Sequence, residues 1–184
     1  MLNFAIVMEN EKSIVYHHDV VEFVTVAVEY CVFLESAVEK EKQIFTDSLL
    51  KLLPLLYLKA TLMPKLAVMS DSPQETFVTE ENYEIVRHNI SMLMGGDDDY
   101  LDVFVEDMKY SDSPILKTIS EDLADIYQQV KDFVCAYRVG NEEKQQDAIA
   151  ILKEEFENYW GQRLVSVMRP LHDLKYGIRD EEEY

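Results

Sequence analysis

From Asp19 onward, apolar residues recur at intervals of three and four, in long stretches separated by short polar or Gly/Pro breaks. That spacing predicts a succession of amphipathic helices. The first runs from Asp19 to about Lys40, with Asp19 and Glu22 at capping-box spacing and Val20, Phe23, Val24, Ala27, Tyr30, Cys31 and Leu34 on its core face. The second runs from Gln43 to Met63. Phe45, Leu49, Leu52, Leu56, Ala60 and Met63 form one stripe, and Leu50, Leu53, Leu55 and Leu58 fill most of the remaining surface. A helix apolar nearly all round is expected to be buried and central. Pro54 should kink or break it, and Pro64 ends it.

Lys65 to Val78, with Ser-Asp-Ser-Pro inside it, reads as a loop. Thr79 is a suitable N-cap for a helix from Glu80 to Met94, closed by Gly95 and presenting Tyr83, Val86 and Ile90 to the core. The segment DDDYLDVFVEDMKY predicts a further short helix capped by Asp97 or Asp98 and ended by a turn at Ser111 to Ser113. Ser113 then caps, and Pro114 opens, a helix whose stripe is Ile119, Leu123, Ile126, Val130, Phe133 and Tyr137. Gly140 closes that helix. Asn141 caps the last, Glu142 to about Tyr176, which has bend points at Gly161 and Pro170. The fold expected is all-α, an up-and-down bundle of about five to six helices with a kinked, buried second helix. Residues 1–16 form an N-terminal extension, 17–177 a single helical domain and 178–184 an acidic tail.

Charge narrows the function classes. Among 184 residues, 36 are acidic and 17 basic, a formal net charge of -19. Such a field repels nucleic-acid backbones and anionic membrane surfaces, and favours basic partners or divalent cations. The apolar run Leu49 to Met63 is broken by Lys51, Pro54 and Lys59 and falls short of the ~20 residues a spanning helix needs. No signal peptide is expected, because the first residues carry neither a basic leader nor a small-residue cleavage site. Cys31 and Cys135 stand alone in helices, as in a reduced cytoplasmic protein.

Candidate chemistry reduces to paired acids. Asp122 and Asp125 lie at i and i+3 on the edge of an apolar stripe, and Asp99 and Asp102 share that spacing in the preceding segment. Two such pairs on neighbouring helices can hold Mg2+, with positions left for water and phosphate oxygens. The arrangement is similar to that of the all-α nucleoside triphosphate pyrophosphatases of the MazG-like family, whose motif is E-x-x-E followed by E-x-x-D. Asp stands at the three Glu positions of that motif, with arms one methylene shorter. The competing account is structural: Asp98 and Asp99 at a helix N-terminus, Asp122 and Asp125 on a wetted edge. His17-His18-Asp19 contains the His-Asp dipeptide of metal-dependent phosphohydrolases without their further ligands, so capping accounts for Asp19. Glu84 and His88, one turn apart, read as a surface ion pair.

Across most of its length, including VVEFVTVAVEYCVFLE, LLKLLPLLYLKATLMP, YLDVFVEDMKYSDSPI and TISEDLADIYQQVKDF, the chain resembles a family of small bacterial proteins classed as a domain of unknown function. That resemblance carries over no activity and no site residues. Two expectations follow. The first is a non-enzymatic acidic helical protein that binds a protein partner or its own copy, without a cofactor. The second is a Mg2+-dependent pyrophosphatase with Asp99, Asp102, Asp122 and Asp125 as ligands.

Overall fold

A computed structural model describes residues 13–69, 75–102 and 114–177. Among the described residues it is an all-α bundle with one short antiparallel strand pair. The helices are α1 (His18–Glu35), α2 (Lys42–Leu62), α3 (Glu80–Met94), α4 (Ile119–Val139), α5 (Glu142–Glu155) and α6 (Gly161–Tyr176). Between α3 and α4, β1 (Asp99–Asp102) pairs antiparallel with β2 (Ile115–Thr118), placing Tyr100 opposite Lys117 and Leu101 opposite Leu116. A π-helical turn, Phe156–Trp160, joins α5 to α6 without leaving helical backbone, so the predicted last helix is one run with a π-bulge just before Gly161.

α4 is the centre of the bundle and packs against α1, α3, α5 and α6. Its stripe of Ile119, Leu123, Ile126, Val130 and Phe133 is fully buried, as the heptad-like spacing predicts. The Tyr30 hydroxyl ties α1 to this helix by donating to the Leu123 carbonyl at 2.9 Å. Trp160 closes the core beside Phe23 and Phe156, and its indole N–H donates to the Leu152 carbonyl. α1 and α2 run antiparallel: Glu22 meets Lys59 at 2.6 Å, while Phe33 stacks on Phe45 at the other end. Before α1, Val15 is fully buried and its carbonyl accepts from Tyr137, so the core begins ahead of residue 17.

Several expected boundaries move. α2 continues through Pro54, and it lies at the side of the bundle rather than wrapped by it. Phe45, Leu49, Leu53, Leu56 and Ala60 are buried, but Leu55, Leu58 and Leu62 stand exposed. α1 ends at Glu35 and is followed by a 3-10 turn over Ala37–Glu39. Asp19 and Glu22 form no capping box: His17 is the N-cap, without a side-chain cap bond, and Glu22 is drawn to Lys59. Thr79 and Asn141 do cap α3 and α5, through the N–H of Asn82 and of Lys144. Gly95 closes α3 at φ 57°, a left-handed backbone that only glycine adopts at no steric cost.

The largest correction concerns the short helix predicted after Gly96. Asp99–Asp102 is a strand, with Tyr100 and Asp102 turned inward and Asp99 and Leu101 outward. Alternating aromatic and acidic side chains suit a half-buried ladder. The rest of that predicted helix, and its end at Ser111 to Ser113, lie outside the described residues. α4 starts at Ile119 rather than Pro114, capped by Thr118, whose Oγ1 accepts from the N–H of Glu121.

Candidate functional site

The strand decides where the four candidate acids go. At i and i+3 a helix would have set Asp99 and Asp102 side by side, but a strand alternates its side chains and sends them to opposite faces. Asp99 is exposed. Asp102 is buried and pairs with Lys117 at 2.5 Å, diagonally across the ladder. On α4 the i, i+3 geometry does hold, and Asp122 and Asp125 converge. They are not a wetted edge: Asp122 is 1% exposed and Asp125 8%.

A guanidinium and three phenols account for that burial. Arg163, in the first turn of α6, places Nη1 2.8 Å from Asp122 Oδ1 and 2.9 Å from Asp125 Oδ2. The Tyr100 hydroxyl from β1 donates to Asp122 Oδ2. Tyr83 from α3 donates to Asp125 Oδ1 at 2.7 Å, and Tyr159 from the π turn to Oδ2 at 3.0 Å. Each carboxylate oxygen therefore has a donor, and Arg163 also lies over the Tyr159 ring. With the π turn and α6 counted as one helical run, four elements meet at this point: α3, β1, α4 and that run.

Electrostatics follow from the burial. Desolvation pushes the Asp122 carboxyl above its ordinary value, although Tyr100, Arg163 and Lys117 all favour the charged form. The Tyr100 phenol is raised by burial and by its bond to Asp122, so it remains a donor. Burial works against the charge on Arg163, but Asp125 and Asp122 outweigh it and hold the guanidinium more firmly protonated. Asp98, expected at the N-terminus of its own helix, serves another one. Its carboxylate accepts from the N–H of Ser120 at 2.8 Å and from the hydroxyl of Ser120 at 2.7 Å, at the start of α4.

Tyr100 and Asp102 also form part of the wall of a groove of about 630 Å3. Its other walls are Tyr57 of α2, Phe156 and Glu157 of the π turn, and the exposed side of α6 from Gly161 to Pro170. Three consecutive strand residues, Tyr100, Leu101 and Asp102, border it. Because alternate strand side chains point to opposite faces, such a run borders a groove along the strand's edge. Among the described residues β1 pairs with β2. The charges here are largely matched: Asp102 pairs with Lys117 and Glu157 with Lys65. Arg169 is exposed and makes no ion pair among the described residues.

No spacing motif singles out Arg163, Lys117 or the three tyrosines. One signal was present: two acids beside an apolar stripe on a central helix need a cation, and Arg163 follows Tyr159 at i+4. Glu84 pairs with Arg87 rather than His88, and His172 packs against Tyr176.

A family model for a domain of unknown function, DUF5063, matches residues 14–177. The chain belongs to this family. It is also similar to a solved structure, the crystal structure of protein BF1032 from Bacteroides fragilis, a structural genomics target. The two are 45% identical with a TM-score of 0.82, over 91% of this chain and 99% of that one. None of the curated proteins matches. DUF5063 membership covers the whole described bundle, including the acid cluster and the groove, but brings no activity with it. No helix among the described residues of this DUF5063 chain is long and apolar enough to cross a membrane.

Proposed function

We propose that the protein is a binding module that receives an extended segment of a partner protein in the groove beside β1. The observation that carries this reading is a groove bordered by Tyr100, Leu101 and Asp102 of β1 and by Arg169, which makes no ion pair among the described residues, in a chain where acids outnumber bases 36 to 17. A peptide adding to the edge of β1 gains backbone hydrogen bonds. Its apolar side chains find Tyr57, Leu101 and Val165, and a carboxylate on it finds Arg169. The volume lies within the ~300–1,000 Å3 of ordinary ligand clefts. In this reading the buried cluster is the support of the site: Asp122 and Arg163 fix Tyr100, and Tyr100 fixes β1. The free thiols Cys31 and Cys135 suit work in the reducing cytoplasm.

The alternative, Mg2+-dependent nucleotide hydrolysis, requires Arg163 to leave the place between Asp122 and Asp125 and requires Asp99 to turn inward. Nothing in the geometry favours either movement.

The test is a random dodecapeptide display library panned against the full chain. Enriched peptides should carry acidic and apolar residues, shift the backbone amide resonances of Tyr100, Leu101 and Asp102, and lose about tenfold or more in affinity to Arg169→Glu. Peptides that bind Arg169→Glu as well as the parent, or that shift resonances elsewhere, would sink the proposal.

A further inference from the structure

At the opposite end of the chemistry from the groove, the N-terminus of α1 gathers two imidazoles on one carboxylate. His17 Nδ1 stands 3.3 Å from Asp19 Oδ2, and His18 Nε2 stands 3.0 Å from Asp19 Oδ1. A donor atom from each of the three lies within 4.8 Å of the other two. We infer that His17, His18 and Asp19 bind one divalent transition-metal ion of the zinc, nickel or cupric class, with the remaining coordination positions open to water or to a donor from another molecule.

Distance comes first. An ion with bonds of about 2.0–2.2 Å holds adjacent ligand atoms about 3.0–3.6 Å apart, which is the spacing already present between each imidazole nitrogen and the carboxylate. Local backbone produces it. His17 is the N-cap residue, extended at φ −59° and ψ 144°, so its side chain leaves the chain ahead of the helix, while His18 and Asp19 leave from the first turn. These three consecutive residues can then face one point. Neither His17 nor Asp19 is drawn into capping, since the His17 side chain makes no cap bond and both oxygens of Asp19 face imidazoles.

Charge supplies the second argument. The two rings lie 4.5 Å apart, centroid to centroid. Two imidazoles beside a carboxylate are the donor set that borderline metals prefer and that Mg2+, which seeks oxygen ligands, does not. On binding, an imidazole nitrogen that faces the carboxylate as N–H loses that proton to solvent while the other nitrogen of the same ring holds or takes up one, so the ring coordinates the ion as neutral imidazole. The positive end of α1 opposes a cation here, and the net charge of -19 favours one. His17 and His18 are exposed, so the ion reaches them without any opening of the fold. This inference is independent of the groove.

The experiment is a calorimetric titration of ZnCl2 into the full chain carrying no histidine tag, at physiological ionic strength. One equivalent should bind the parent chain. His18→Ala should weaken binding tenfold or more, and the double variant His17→Ala/His18→Ala should abolish it, while excess Mg2+ should not compete. Both side chains are exposed, so circular dichroism should confirm an unchanged fold. A crystal soaked in ZnCl2 should give an anomalous peak between the two rings. No binding to the parent chain, or equal binding to parent and double variant, overturns the inference.

Discussion

Arg163 Nη1 lies 2.8 Å from Asp122 Oδ1, and this contact joins the first turn of α4 to the first turn of α6. Asp122 is almost wholly buried, so its charge has no solvent to return to if the guanidinium is taken away. Replacing Arg163 with Met keeps much of the side-chain volume and leaves two carboxylates with phenols alone. Breaking a buried pair from one side costs about 3–5 kcal/mol. Urea unfolding should show Arg163→Met destabilised on that scale, whereas Arg87→Met, at an exposed pair with Glu84, should change stability by about 0.5 kcal/mol or less.

The same carboxylate sets a pH dependence. In the folded chain burial holds the Asp122 carboxyl above its ordinary value, and unfolding returns it there. Between the two values the folded state binds more protons than the unfolded, so the contribution of Asp122 to stability falls as pH rises through that window. Read downward, acidification from neutral pH relieves the cost of burying the charge. Asp122→Asn removes this titration. The parent should therefore gain stability relative to Asp122→Asn as pH is lowered from neutral into the window, a trend measurable by urea unfolding at a series of pH values. Asp132, raised by burial in the same direction, is present in both chains and cancels.

Two neighbouring aspartates should separate cleanly. Asp98 binds both the N–H and the hydroxyl of Ser120 at the first turn of α4, while Asp99 is exposed on the outer face of β1. Asp98→Ala should cost about 1–2 kcal/mol, the scale of a lost helix cap. Asp99→Ala should be close to neutral by thermal unfolding. Equal effects would mean that Asp99 takes part in interactions this geometry does not give it.

With Arg163 seated between Asp122 and Asp125, a screen of the common nucleoside triphosphates with Mg2+ or Mn2+ should release no pyrophosphate above the uncatalysed rate. Release that Asp122→Ala or Asp125→Ala abolishes would reverse this reading and restore the carboxylates to a catalytic role.

Periodicity made most of the fold legible. The buried stripe of α4, the caps at Thr79 and Asn141, and the close of α3 at Gly95 all follow from spacing and from the local chemistry of single residues. The strand pair was not legible, because Asp97 to Asp102 carries the acids and the preceding glycines of a helix start, and only the cross-strand partners Lys117 and Leu116 decide for a strand. α2 misled for a different reason. A sequence shows how much of a helix is apolar but not how many neighbours it will have, and α4 took the central place. In the candidate site, the convergence of Asp122 and Asp125 was legible from i, i+3 spacing. Their partners were not, since Tyr83, Tyr100, Tyr159 and Arg163 come from three separate elements whose meeting is a property of packing.

The π-bulge gives the last prediction. The N–H of Gly161 bonds back to the carbonyl of Phe156, five residues earlier, and a methyl group built on Gly161 would stand 2.4 Å from that oxygen and 3.0 Å from the Phe156 ring. The oxygen is backbone and cannot rotate away, so Gly161→Ala must either open the bulge or push Phe156 from beside Trp160. Overpacking of this kind costs about 1–3 kcal/mol. The bulge also positions Tyr159 on Asp125, and Gly161 itself lines the groove. The variant should therefore show a lowered unfolding midpoint together with a changed near-ultraviolet circular dichroism signal from Trp160. A chain that keeps both would show that a regular α-helical turn can replace the bulge there, and that the register between α5 and α6 is not what holds Tyr159 and Arg163 at the acid pair.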